Sequence, residues 1–256
     1  MTAPLDVITR LRAAGCVFAE EEAALLVAAA GSPDELAALV ERRAGGLPLE
    51  QLLGWAEFCG LRIVVEPGVF VPRRRTELLV GEAAALAPPR AVVVDLCCGS
   101  GALGAALAAA LPDAQVYAAD IDPAAVACAR RNLPPDRVFA GDLFGALPAE
   151  LRGRIDVLVV NAPYVPTDSV ALMPPEARLY EAPVALDGGA DGLAVQRRVA
   201  VGAPGWLTPR GHLLVETSER QAPLTVAAFE AAGLAARVVR DEELDGTAVV
   251  GRRPGA

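Results

Sequence analysis

From Glu77 onward the chain alternates β-branched runs with alanine-rich stretches, and that alternation admits very few architectures. Residues 91–96, 115–120, 137–140, 155–161, 211–216, 235–240 and 247–252 have strand composition, and helical stretches fall at 76–87, 101–110, 123–132, 192–203 and 221–232. Strands joined through helices pair in parallel, because each helix carries the chain back along the sheet. Residues 241–246 are too few for such a crossover, so the last strand is expected to be antiparallel. The expected class is α/β, a Rossmann-like seven-stranded sheet, with a small helical domain ahead of it. In that domain, residues 1–54, apolar residues recur at helical spacing: Leu5, Ile8 and Leu11; Ala24, Leu25 and Ala28; Leu36, Leu39 and Val40. Ser32-Pro33-Asp34-Glu35 reads as a capped helix start and Gly45-Gly46 as its end. Residues 55–76 mix aromatic and β-branched residues with glycine turns and read as a β-hairpin linker; the sheet domain occupies 77–256.

Composition removes whole classes of chemistry. The chain has no lysine, so Schiff-base and P-loop lysine chemistry are excluded, and its single histidine, His212, rules out a multi-histidine metal site. His212 leads the apolar run Leu213-Leu214-Val215 and reads as a strand-edge residue. Five cysteines without a C-x-x-C spacing read as reduced thiols, neither a disulfide framework nor a zinc site, and no metal is implied. The net charge of −9 disfavours stable nucleic-acid binding. The longest apolar stretches, such as 102–111, are too short to span a bilayer, and Asp6 and Arg10 stand where a leader would need its apolar centre. A cytoplasmic monomer is expected.

Three strand ends carry cofactor signals. Asp95 closes the first strand, and Cys97-Cys98-Gly99-Ser100-Gly101 then opens a helix, a turn where backbone N–H groups can approach a nucleotide-like ligand. Asp120 closes the second strand, where a carboxylate can accept both ribose hydroxyls; the following Asp122-Pro123 is a helix cap. After the third strand, Asp142 can receive an adenine amino group and Leu143 can cover the ring. Gly99, Gly101 and Gly104 nearly complete a G-x-G-x-x-G fingerprint, so a nicotinamide dehydrogenase is the competing reading.

The fourth strand ends in Asn161-Ala162-Pro163-Tyr164. An amide nitrogen is a poor nucleophile because its lone pair is delocalised. A site that methylates it should grip the N–H groups with acceptors and turn the lone pair toward the methyl donor. The Asn161 side-chain oxygen is one acceptor and the Ala162 carbonyl, set by Pro163, another. Tyr164 can stack on the planar group and exclude water. A dehydrogenase gives this segment no role. The expectation is a methyltransferase using S-adenosylmethionine and acting on a planar amide or amine nitrogen.

These residues resemble the protein-(glutamine-N5) methyltransferases that modify peptide-chain release factors, which carry D-x-G-x-G-S-G and then N-P-P-Y. The likeness covers nearly the whole chain. Residues 70–77, Phe-Val-Pro-Arg-Arg-Arg-Thr-Glu, resemble that family's I-P-R-P-E-T-E segment, residues 180–193 its E-P-x-x-A-L-x-G-G-x-D-G-L stretch, and residues 211–216 with Gln221 the strand that follows. The resemblance implies that Cys97, Cys98, Gly99, Ser100, Gly101, Asp120, Asp142, Leu143 and Asn161 line the cofactor site. It implies that residues 161–164 hold the glutamine of a Gly-Gly-Gln loop, with Phe70, Arg73, Glu181 and Pro183 beside them, and that the amino-terminal helices help to hold the release factor. Three departures imply a divergent branch or paralogue: Cys97 replaces the first glycine, Ala162 replaces the first proline and loosens the turn, and Arg74-Arg75 replace Pro-Glu. Arg74 and Arg75 read as solvated linker charges. Two further readings compete with this one: a nucleic-acid amino-group methyltransferase, and a non-catalytic release-factor-binding module in which Cys97 impairs the cofactor site.

Overall fold

The computed structural model describes residues 5–255. Residues 1–4, the beginning of the expected helical segment and of the stretch read for a leader, lie outside the described residues, as does residue 256.

Helices α1 (Leu5–Ala13), α2 (Ala19–Ala29), α3 (Pro33–Ala44) and α4 (Leu49–Leu53) pack around Val7, Leu11, Ala23, Leu26 and Val40. Ser32 Oγ accepts the Glu35 N–H at 3.2 Å, and the Glu35 carboxylate accepts the Gly31 N–H at 2.7 Å, so α3 starts on a reciprocal cap. The buried faces differ from the sequence expectation in two helices. Leu5 is 83% exposed and Val7 buried in its place, and α2 turns Ala23 and Leu26 inward rather than Ala24, Leu25 and Ala28. An alanine-rich helix is apolar on most of its circumference, so spacing alone selects no face. The α2 face is decided by Glu22, which must meet the buried Arg43 (2.5 Å).

The hairpin pairs β1 (Trp55–Phe58) with β2 (Leu61–Val64) across Cys59 and Gly60. Both turn residues have positive φ (50° and 71°), as a two-residue turn needs to match the twist of its strands. A 3-10 turn at Arg74–Thr76 leads into α5 (Glu77–Leu86).

The main sheet comprises β3 (Val92–Leu96), β4 (Gln115–Asp120), β5 (Val138–Ala140), β6 (Ile155–Val160), β7 (Leu207–Glu216), β8 (Ala235–Asp241) and β9 (Gly246–Arg252). Their order is β5-β4-β3-β6-β7-β9-β8; β3 to β7 run parallel, and β9 is antiparallel to both neighbours. The antiparallel last strand expected from the short 241–246 connection is present, and it inserts between β7 and β8. Along β6, Val157 and Val159 face the layer of α5, α6 (Ala102–Ala110) and α7 (Pro123–Ala129). Leu158 and Val160 face the opposite layer. That layer includes α10 (Ala194–Gly202) and α11 (Ala222–Ala231), while the short helices α8 (Thr167–Val170) and α9 (Pro175–Tyr180) lie in the connection from β6 to α10. Each of these fully buried Val or Leu side chains contributes about 1.5–3 kcal/mol, so burial on two faces fixes the register of β6 and the exit of residue 161 from the sheet. Strand β7 begins four residues earlier than expected. Its pairing with β6 shifts between Ile155 and Val157, and a Cβ at Gly211 would come within 2.9 Å of the Ile155 carbonyl, so the irregularity needs that glycine. His212 therefore lies inside a strand flanked on both sides, not at a strand edge.

No described helix is long and apolar enough to cross a membrane.

Candidate active site

The chain order reverses between β4-β3 and β6, and there a cavity of about 280 Å³ opens beyond the carboxyl ends of the strands. Ligands of open α/β sheets bind at such a reversal. Cys97, Cys98, Gly99, Ser100, Asp120, Asp142, Leu143 and residues 161–164 all line it, as does Phe70. Asp95, Gly101, Arg73, Glu181 and Pro183 stand behind its wall.

Each of those five has a structural task where it stands. Asp95 is fully buried; its Oδ2 accepts the Gly104 N–H at 2.9 Å, while Oδ1 has no partner among the described residues. Gly101, at φ 78°, packs against α7: a Cβ there would lie 3.1 Å from that of Ala129. The Arg73–Glu181 ion pair (2.6 Å), with the Val71 N–H on the same carboxylate, fastens the segment before α5 to the connection after α9. Pro183 opens a 3-10 turn whose neighbours Ala182 and Val184 reach the cavity.

The glycine-containing turn is held from both sides. Asp120 Oδ2 accepts the Gly99 N–H (2.8 Å) and Oδ1 the Asp122 N–H (2.9 Å). Asn132 grips β2 through both the N–H and the carbonyl of Val64, and donates to the Ser100 carbonyl, each at 2.9 Å. Cys97 adopts φ 61°, the left-handed conformation that a glycine would take without strain, so the cysteine is carried by the turn's backbone rather than by a rearranged loop. Burial holds the Cys97 and Cys98 thiols well above their usual range, with Asp95 and Asp120 adding to the effect, so both are thiols rather than thiolates. Gly104, the third glycine of the dehydrogenase-like spacing, serves packing: a Cβ there would sit 2.9 Å from Leu133 and 3.3 Å from the Asp95 carboxylate.

Burial pushes the Asp95 carboxyl up to about 7, with the Asp120 charge adding and the Gly104 N–H opposing. In the unfolded chain the group titrates near 3.8, so as pH rises from about 4 to 7 the unfolded state has released the proton that the folded state keeps, and stability falls. The contribution is flat above pH 7 and amounts there to about 4 kcal/mol of destabilisation. Asp95→Asn should therefore gain on the wild type by roughly 2–3 kcal/mol in denaturant unfolding between pH 5 and pH 8. An equal difference at the two pH values would refute the assignment.

At the other end of the cavity, Asn161 Nδ2 donates to Thr76 Oγ1 (3.2 Å), and Thr76 Oγ1 donates to Glu216 Oε2 (2.5 Å). Glu216, buried at the end of β7, also accepts the Tyr164 hydroxyl and the Arg75 Nε–H, each at 3.2 Å. Arg75 lies 6.0 Å over the Tyr164 ring. Arg74 and Arg75 are both exposed, as expected of linker charges, but Arg75 also pairs with the buried Glu216 carboxylate. Burial first, then Glu216, pushes the Tyr164 hydroxyl up to about 12, so it stays a neutral donor. Ala162 is buried, and no described N–H or side-chain donor takes its carbonyl. Behind the turn, Gly188 would place a Cβ 2.7 Å from the Pro163 carbonyl, and Gln221 Nε2 donates to the Tyr164 carbonyl at 2.9 Å. The turn that Ala162 was expected to loosen is held by these contacts. Asp142 accepts from Arg198 at 2.5 Å, a partner the sequence did not suggest. Thr76, Glu216 and Arg198 carried no individual signal in the sequence, although Glu216 is an acid at a strand end, as Asp120 is, and Arg75 was read only as a linker charge.

A family model described as "Methyltransferase small domain" matches residues 60–200. The release factor glutamine methyltransferase of Geobacter sulfurreducens is 44% identical over 209 residues, covering 79% of this chain and 72% of that protein. That of Mycolicibacterium smegmatis is 41% identical over 221 residues, 84% of this chain and 78% of that protein. The chain belongs to the release factor glutamine methyltransferase family. A methyltransferase structure from Pyrococcus furiosus, at 16% identity and a TM-score of 0.56 over 76% of this chain and 90% of that one, shares the fold. Asp120, Asp142 and the glycine-containing turn thus share one cavity with residues 161–164.

The donor-side residues fit S-adenosylmethionine. A Cβ at Gly99 would protrude toward Phe70 (4.0 Å), into space that the glycine leaves open beside the turn. Each Asp120 oxygen accepts one backbone N–H and keeps a lone pair for a ribose hydroxyl. On the wall Asp120, Asp122, Asp142 and Asp187 outnumber Arg75 and Arg198, a balance that suits a cationic sulfonium better than a pyrophosphate.

Proposed function

We propose that this chain transfers the methyl group of S-adenosylmethionine to the side-chain amide nitrogen of a glutamine in a peptide-chain release factor. The observation that carries the reading is the pair of acceptors at the acceptor end of the crevice: Asn161 Oδ1, left free because its Nδ2 is used on Thr76, and the free carbonyl of Ala162. Two acceptors a residue apart match the two N–H bonds of a carboxamide. Cys97, Gly99, Ser100, Asp120, Asp142 and Leu143 would hold the cofactor, which supplies an electrophilic methyl. The chain supplies position: the two oxygens grip the N–H groups, the lone pair faces the crevice, and Tyr164 and Phe70 close over the amide and exclude water. No strong base is needed, because the nitrogen, cationic while it carries the new methyl and both of its protons, is itself a strong acid and gives up one proton to water as the product leaves.

Residues 1–54, anchored to the sheet domain through Arg43 on Glu176 and through Gln51 Nε2 on the carbonyls of Val69 (3.2 Å) and Tyr180 (3.1 Å), would hold the release factor.

Incubation of purified protein with methyl-labelled S-adenosylmethionine and a release factor should label the glutamine of its Gly-Gly-Gln loop, and replacing that glutamine by alanine should abolish the label. Label appearing on RNA or DNA, or on no release-factor glutamine, would overturn the reading.

A further inference from the structure

We propose that Thr76 and Glu216 are positioning residues that fix the orientation of the Asn161 amide and so make the site select a carboxamide over a carboxylate. The inference rests on the proposed glutamine methylation and deepens it.

The oxygen and nitrogen ends of an asparagine amide are nearly isosteric, and only its partners decide which end faces which way. Here the decision is made outside the cavity. Glu216 has acceptors only, and its Oε2 takes the Thr76 hydroxyl proton at 2.5 Å. Thr76 Oγ1 has then committed its one proton and can only accept. Its neighbour at 3.2 Å must therefore be Asn161 Nδ2, and Oδ1 is turned toward the crevice. Thr76 and Glu216 are each 3% exposed, so water does not compete for either bond. A reversed amide would set Oδ1 against the Thr76 oxygen, two acceptors in contact without a proton between them.

The same carboxylate takes the Tyr164 hydroxyl, so one buried group ties both ends of the four-residue turn. That matters in this chain because Ala162 stands where a second proline would stiffen the turn. Arg75 supplies the opposite charge that a buried carboxylate requires.

The chemical consequence concerns substrate choice. With Oδ1 facing inward, Asn161 and the Ala162 carbonyl together offer acceptors only. A glutamine side chain satisfies them with two N–H donors, while a glutamate would bring lone pairs against lone pairs. With the asparagine free to reverse, Nδ2 would face inward and a carboxylate would be tolerated.

Thr76→Val removes the relay at nearly constant volume, and Thr76→Ser restores it. With a release factor as substrate, Thr76→Val should lower kcat by about 30-fold, Thr76→Ser by less than about 3-fold, and the Kd for S-adenosylmethionine should stay within about twofold in both, as loss of one oriented hydrogen bond in a water-excluded site predicts. A release factor carrying glutamate in place of the target glutamine should inhibit Thr76→Val about tenfold more strongly than it inhibits the wild type. A Thr76→Val enzyme with wild-type kcat, a Kd for the cofactor that weakens in step with kcat, or unchanged inhibition by the glutamate form would each overturn the proposal. Should the wild type methylate no glutamine, the functional reading fails separately, and the orientation is decided by nuclear magnetic resonance. The side-chain amide signal of Asn161, assigned by its loss in Asn161→Asp, should exchange slowly in the wild type and in Thr76→Ser and rapidly in Thr76→Val. Equal exchange in all three would refute the relay.

Discussion

Asn161→Ala is expected to lower kcat/KM for release-factor methylation by about 10²–10³-fold while leaving the fold intact. The magnitude is that of one preorganised hydrogen bond to the reacting group in a site closed to water, about 3–4 kcal/mol. The Asn161 side chain follows the last residue of β6, whose own burial between the two helical layers does not depend on it. Unfolding midpoints should therefore differ little, and S-adenosylmethionine affinity should change by less than about tenfold, since Asp120 and the glycine turn are untouched. The loss should appear in kcat with saturating cofactor, because the missing acceptor acts on the lone pair of the attacking amide more than on binding. A variant that keeps more than about a tenth of wild-type kcat would remove Asn161 from the reaction and leave the Ala162 carbonyl as the principal grip.

What was legible in the sequence and what was not divide along a physical line. The sheet and the placement of residues at the ends of β3, β4, β5 and β6 could be read because each signal is local: an apolar run, then an acid, amide or glycine at its end. Asp120, Asp142 and Asn161 lie on the cavity wall for that reason. The antiparallel last strand was legible from connection length alone. The relay behind Asn161 was not, because Thr76 is 85 residues away in the chain and Glu216 is 140 from Thr76. Nothing in a single chain links a threonine after three arginines to the end of a distant strand. Arg75 shows the same limit from the other side: a run of like charges usually means solvent, and here one member finds a buried carboxylate. Arg73, Glu181 and Pro183 sit in the stretches that resemble the family's substrate side, yet they brace the wall from behind. Resemblance assigns a segment to a neighbourhood, and only packing says which side chains face the cavity. In α2 the obstacle was composition, since alanine on nearly every face erases the periodic signal that would choose the buried one.

Gly192→Ala should be among the most damaging single-atom-group additions to this chain, and its damage should reach the chemistry. Gly192 has φ 78°, where a Cβ is strained, and that Cβ would lie 2.2 Å from the Tyr164 carbonyl oxygen and 2.3 Å from Gln221 Nε2. Neither neighbour can yield cheaply: the first is backbone, and the second is held by its bonds to the Tyr164 carbonyl (2.9 Å) and the Asp191 carbonyl (3.1 Å). The left-handed strain costs about 1 kcal/mol and the overpacking about 1–3 more, so a loss of roughly 2–4 kcal/mol is expected. For a chain of this length that corresponds to a fall of about 5–15 °C in Tm. Gly233 provides the control, since it has nearly the same φ, 81°, with nothing within 4 Å of an added Cβ, and it follows α11 well away from the cavity. Gly233→Ala should incur the backbone strain alone, about 1 kcal/mol, and keep wild-type kcat/KM. Gly192→Ala should lose more than about tenfold in kcat/KM below its own Tm, because relieving the clash displaces Tyr164, the aromatic wall of the amide site proposed above. If the two variants prove equal in both Tm and kcat/KM, the close approach of residue 192 to the Tyr164 carbonyl does not hold the turn, and the buried Glu216 carboxylate alone must fix its position.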